Sequence, residues 1–145
     1  MNEAVKKIIL LLIIIFIFSL SVNAQETKNK ETGKICFLRS TGLNSSGYGF
    51  KMFIDDKLVC KLNNKKYSVH EVAVGKHNCF VKGEKKKSDE SVEKFEVQVE
   101  AGKITYVQLI YEVGFFKSYL LYCEEVAEDL AKMKIEKMSE DTKCL

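Results

Sequence analysis

The chain contains no proline and only eight glycines, which excludes collagen-like repeats and proline-rich linkers. It has just two histidines, His70 and His77, so a zinc or nucleophilic site would require one of them to converge with a carboxylate or thiol. A glycine-rich phosphate loop, a G-x-S-x-G elbow and an H-E-x-x-H helix are all missing, and with them the common phosphate, serine-hydrolase and metalloprotease signatures. Asp55 and Asp56 are paired acids, but the D-x-D-x-D-G loop that calcium needs is absent, so they read as a charged turn. No catalytic residue, metal ligand or cofactor site is therefore expected. A formal charge of +3, falling to +2 if Glu3, Lys6 and Lys7 are removed, makes no charge-based case for nucleic-acid binding. Lys82, Lys85, Lys86 and Lys87 cluster, yet Glu84, Asp89, Glu90 and Glu93 dilute them within a Debye length.

What is present points first to export. Residues 1–24 follow the plan of a secretory signal: Lys6 and Lys7, an unbroken apolar run over 8–18, and Val22-Asn23-Ala24 before Gln25. The apolar stretch of about 15 residues is short for a membrane span, which needs roughly 20. Cleavage between Ala24 and Gln25 is expected, leaving no stable span and placing the protein in the periplasm, the cell envelope or the medium. The remaining residues make one domain. A composition of 46% hydrophobic and 30% charged residues excludes both a disordered chain and a polytopic membrane protein.

All five cysteines, Cys36, Cys60, Cys79, Cys123 and Cys144, lie beyond the export segment, where disulfides persist. No pair has the C-x-x-C spacing of a zinc knuckle or redox motif. Cys36, Cys60, Cys79 and Cys123 are candidates for disulfides or for buried thiols acting as small hydrophobes. An odd total leaves at least one thiol unpaired within the chain, and Cys144, next to the C-terminus, is the expected one. Cys60 should share a strand face with Leu58 and Leu62, and Cys79 with Val81.

Residues 25–33 are polar and aperiodic and read as a flexible leader. From residue 34 onward, short apolar runs alternate with turn signals, the pattern of an all-β sandwich or barrel. Expected strands cover 35–38, 50–54, 58–62, 67–74, 77–81, 95–99, 104–111 and 115–122. Turns fall at Asp55-Asp56-Lys57, Asn63-Asn64, Gly75-Lys76 and Ala101-Gly102-Lys103, and loops at 40–49 and 84–91. Phe95, Val97 and Val99 against Glu96, Gln98 and Glu100 give the cleanest alternation. No stretch has room for the crossover helices that parallel sheets require.

Only 124–138 has helical period, with Val126, Leu130 and Met133 as the docking stripe. The fold class is thus mainly β: an antiparallel β-sandwich of about seven to eight strands with one C-terminal α-helix, over 34–138, followed by a tail, 139–145.

Four landmarks, Phe53-Ile54-Asp55-Asp56-Lys57-Leu58-Val59, Leu62-Asn63-Asn64-Lys65-Lys66-Tyr67, Val74-Gly75-Lys76-His77 and Ala101-Gly102-Lys103-Ile104-Thr105-Tyr106-Val107, occur in an order that resembles the bacterial domain of unknown function 2846 family. That family is itself similar to PEGA-type β-sandwich modules. Asp56 stands where its hairpin usually has glycine, and Val74 replaces the usual proline. The resemblance implies a small exported β-sandwich with no assigned catalysis, and a His77 that caps or packs the turn after Gly75.

Cys60 and His70 lie on neighbouring strands and form the one open pairing for a secreted cysteine-dependent hydrolase; His77 and Cys79, two apart on one strand, are too distant. The aromatics Tyr111, Phe115, Phe116, Tyr119 and Tyr122 crowd the last two strands, with Tyr106 and Tyr111 on opposite faces. They form a candidate interaction surface, one face of which the helix should cover. The expectation is a non-enzymatic exported module that binds, or associates structurally with, an envelope protein or glycan. The alternatives are the hydrolase and a secreted inhibitor or effector.

Overall fold

The computed structural model describes residues 2–7, 31–42, 47–83, 92–114 and 119–144. Residues 3–7 are helical. The rest of the export segment, the proposed cleavage point, the loop 84–91, Phe115 and Phe116 lie outside the described residues. Among the described residues no helix is long and apolar enough to cross a membrane.

Among the described residues, nine strands form two sheets: β1 (Thr32–Arg39), β2 (Phe50–Ile54), β3 (Lys57–Leu62), β4 (Lys66–Ala73), β5 (Gly75–Lys82), β6 (Phe95–Val99), β7 (Ile104–Val113), β8 (Tyr119–Glu125) and β9 (Ser139–Glu140), with a C-terminal helix, Glu128–Ile135, before the last. One sheet has the order β8-β7-β1-β4-β9 and the other β3-β2-β5-β6. Alternation decides which side chains enter the space between them. Phe95, Val97 and Val99 turn inward while Glu96 and Gln98 face water. They meet Ile35, Phe37, Met52, Leu62, Val81, Val107 and Leu109 in the main core. The central strand β1 is apolar on both faces because both are covered. Ile35 and Phe37 face the second sheet, while Cys36 and Leu38 join Tyr106, Val126 and Ala131 beneath the helix.

Two pairings depart from a purely antiparallel plan. β1 runs parallel to β7, and β4 to β9. A parallel pair needs a long connection; between β1 and β7 that connection is the entire second sheet together with β4, so no crossover helix is required.

The hairpin turn at Asp55 and Asp56 has φ of 49° and 65°, the left-handed pair of a two-residue turn that Asp tolerates. The next turn differs from expectation: its left-handed residue is Lys65, φ 55°, rather than Asn63 or Asn64. The Asn64 amide is committed to the neighbouring loop, accepting from the Thr41 N–H at 2.9 Å and donating to the Gly42 carbonyl at 2.7 Å. A bulge between β2 and β3 pairs Met52 with Cys60 but Phe53 with Leu58. Cys60 therefore shares the core face with Leu62 and not with Leu58, while Cys79 and Val81 do share it.

The helix is shorter than its periodicity suggested. Glu124 and Glu125 belong to β8, and the Val126 N–H still bonds the Tyr106 carbonyl at 2.9 Å, so helical bonding starts only after Ala127. That shift rotates the docked face. Ala131 is buried with Ile135 and Met138 beside it, while Leu130 and Met133 are 47% and 64% exposed. Glu128 and Asp129 begin the helix and Lys132 and Lys134 end it, the order its dipole favours.

Candidate functional site

Strand directions sort the connections. The turn 55–56, the corner at Val74 and the turn 100–103 all lie at one end of the sandwich. The connections β1–β2, β5–β6 and β7–β8, and the tighter β3–β4 turn, leave from the other.

The tight-turn end is held by hydrogen bonds. Asp55 exchanges backbone and side-chain bonds with Asn78, both at 2.9 Å. His77 Nδ1 lies 2.6 Å from Asp55 Oδ2, and Nε2 lies 2.7 Å from the Ala73 carbonyl. Both neighbours accept, so the ring donates from both nitrogens as an imidazolium. Burial draws the His77 pKa down, but the Ala73 carbonyl and the Asp55 carboxylate outweigh it and the net shift is upward. Burial likewise raises Asp55, while the Asn78 amide, His77 and Lys94 bring it below its ordinary value. Lys94 also pairs with Asp56 at 2.7 Å. A side chain at Gly33 would strike the Glu100 carbonyl and a Val99 methyl, so glycine permits the close approach of β1 to the 100–103 turn.

The long-connection end has an aromatic floor. Tyr119 stacks on Tyr111 with centroids 5.5 Å apart, Tyr111 on Phe50 at 5.8 Å, and the Arg39 guanidinium lies 4.2 Å from the Phe50 centroid. Arg39 is fully buried, and its Nη1 donates to the carbonyls of Tyr48 at 2.5 Å and Leu62 at 2.6 Å. Burial lowers its pKa to about 10, leaving it charged at neutral pH. Tyr48 and Tyr119 are 50% and 39% exposed at this end. Sequence reading passed over Arg39, and took in Tyr48 only as part of the loop 40–49, one of the two loops expected to meet a ligand. The available signal was the chain's lone arginine ending the apolar run of β1.

The aromatic surface expected from the sequence is divided. Tyr111 and Tyr119 belong to the floor, whereas Tyr122 faces the other way, its hydroxyl donating to Glu112 at 3.4 Å. The helix covers Tyr106 rather than the outer face of β8, where Leu120 is 62% exposed.

The cysteines also resolve differently. Cys144 is not unpaired: it is disulfide-bonded to Cys60, with Cα atoms 4.4 Å apart. The tail is carried there because β9 lies along β4 and the Asp141 N–H donates to the Tyr67 carbonyl at 2.8 Å. Cys60 thus offers no free thiol to His70. His70 instead lies 3.0 Å from the Ser68 hydroxyl, and burial lowers its pKa. Cys36, Cys79 and Cys123 are free and buried. Burial pushes Cys36 and Cys79 up to about 12 and Cys123 upward as well, the reverse of what a nucleophilic thiolate requires. The Cys60 and Cys144 sulfurs and an Asp141 carboxylate oxygen lie within 4.8 Å of one another, so metal ligation there would first require the disulfide to be reduced.

Neither a scan against protein-family models nor a search of curated proteins finds a match for this chain.

Proposed function

We propose that the protein is a non-enzymatic, exported β-sandwich module that acts by binding or structural association at the cell envelope, with an envelope protein or glycan as partner. The observation that carries this reading is the contrast between the ends: one is tied by short hydrogen-bonded turns, and the other, from which the longer connections leave, has an aromatic floor with Tyr48 and Tyr119 exposed. Loops on a rigid scaffold are where binding residues concentrate, and amphipathic tyrosines suit such contacts. The buried, protonated thiols and the secretory pattern of 1–24 agree with it, as does the resemblance of the four turn landmarks.

The test is retention of the purified protein on isolated envelope fractions. Tyr48→Ser combined with Tyr119→Ser should reduce retention strongly, and Lys103→Ala at the opposite end should not. Equal retention of all three proteins would refute the reading.

A further inference from the structure

On the outer face of the larger sheet, beside the end of the helix, a pocket of about 390 Å³ is lined by Ser40, Lys65, Gln108, Lys134, Lys137 and Met138. Three lysines line it and no acidic residue does. That sets it apart from the pocket near His77, which includes Asp55 and Glu71, and from the one near Tyr106, which includes Glu100, Glu125 and Glu128. Four lysines elsewhere meet acids directly: Lys76 with Glu96, Lys94 with Asp56, Lys103 with Glu100 and Lys132 with Glu128. Among the described residues, Lys65, Lys134 and Lys137 form no ion pair, and Lys134 donates to the neutral Gln108 carbonyl oxygen.

The walls are held by the fold rather than by the lysines themselves. Gln108 lies on β7 and Ser40 follows β1. Lys137 and Met138 are fixed between the docked helix and β9, where the Ser139 N–H donates to the Lys65 carbonyl at 3.2 Å and the tail is fastened by the Cys60–Cys144 bond. Lys65 occupies a left-handed conformation, φ 55°, that glycine would adopt more easily; strained residues of this kind gather at ligand sites.

We propose that this pocket binds a phosphate group. Three cations with a hydroxyl and an amide around one volume match a compact group that carries about two charges and three acceptor oxygens. The volume lies within the roughly 300–1,000 Å³ of small-molecule sites. The inference rests on the pocket alone and not on the envelope reading.

The test is a titration of the purified protein with inorganic phosphate, followed by amide ¹H–¹⁵N shifts. Saturable shifts should centre on Ser40, Lys65, Gln108 and Lys137. Lys65→Ala with Lys137→Ala should weaken binding by about tenfold or more, while Lys76→Ala with Lys103→Ala, which removes equal charge elsewhere, should leave it unchanged. Absence of saturation, or equal weakening by both double variants, would overturn the proposal. Soluble glycerol phosphate and phosphatidylglycerol vesicles separate the sources. Binding to the former without vesicle co-sedimentation assigns a free phosphate ester, and co-sedimentation abolished by Lys65→Ala with Lys137→Ala assigns a lipid headgroup.

Discussion

The two ends of the sandwich are built from the same strands but stabilised by different means. At the tight-turn end the backbone reverses within residues 55–56 and bends at Val74, and polar side chains close the gaps: Asp55 to Asn78, and His77 to Asp55 and Ala73. At the other end, where the longer connections leave the strands, Arg39, Phe50, Tyr111 and Tyr119 pack in a row. Short turns leave little freedom for a ligand-specific surface, whereas a packed floor at the strand ends lets the connections that leave them vary without disturbing the core.

Removing the floor should have the largest effect. Arg39→Ala would orphan the Tyr48 and Leu62 carbonyls and leave a cavity, at a cost of about 4 kcal/mol in urea denaturation. Arg39→Lys should recover only part of it, because lysine lacks the planar fork. Releasing the tail comes next. Cys144→Ser removes a bond spanning 84 residues and should cost about 3 kcal/mol, read as a lower urea midpoint.

The opposite end should show itself through pH. The folded pKa of His77 lies above the ordinary 6.5, so its stabilisation is fully present below 6.5 and fades as pH rises through the folded value. Asp55 is depressed below 3.8, so its contribution is present above 3.8 and is lost as pH falls through the folded value. The clasp is therefore strongest between those limits. His77→Gln should flatten the loss on the alkaline side, which a charge-assisted hydrogen bond places at about 1–2 kcal/mol. The smallest change runs in the other direction. Lys65→Gly should relieve its left-handed strain and stabilise by about 0.5–1 kcal/mol, while weakening phosphate binding.

Where one face of a strand met water and the other the core, as in Phe95 to Val99, period-two alternation was enough to assign the strand and its buried residues. It worked less well where a residue answered to distant partners. Helical period extended back to Glu124, but the sheet competed for the same backbone groups and won as far as Val126, so the stripe of Leu130 and Met133 ended in solvent. The bulge that took Leu58 out of the core depends on β2–β3 register, which local composition does not encode. Cys144 reads as a loose terminal thiol until β9 pairs with β4 and brings it to Cys60. The phosphate pocket assembles Ser40, Lys65, Gln108 and Lys137 from four parts of the chain, none of which forms a motif by itself.

The most direct test of the two-ended account is site-specific photocrosslinking in cells producing the protein, with the reactive residue at Tyr48 or, in a second strain, at Lys103. The account predicts a discrete adduct with an envelope component from position 48 and none from position 103. Adducts forming as readily from position 103, or from neither, would contradict it.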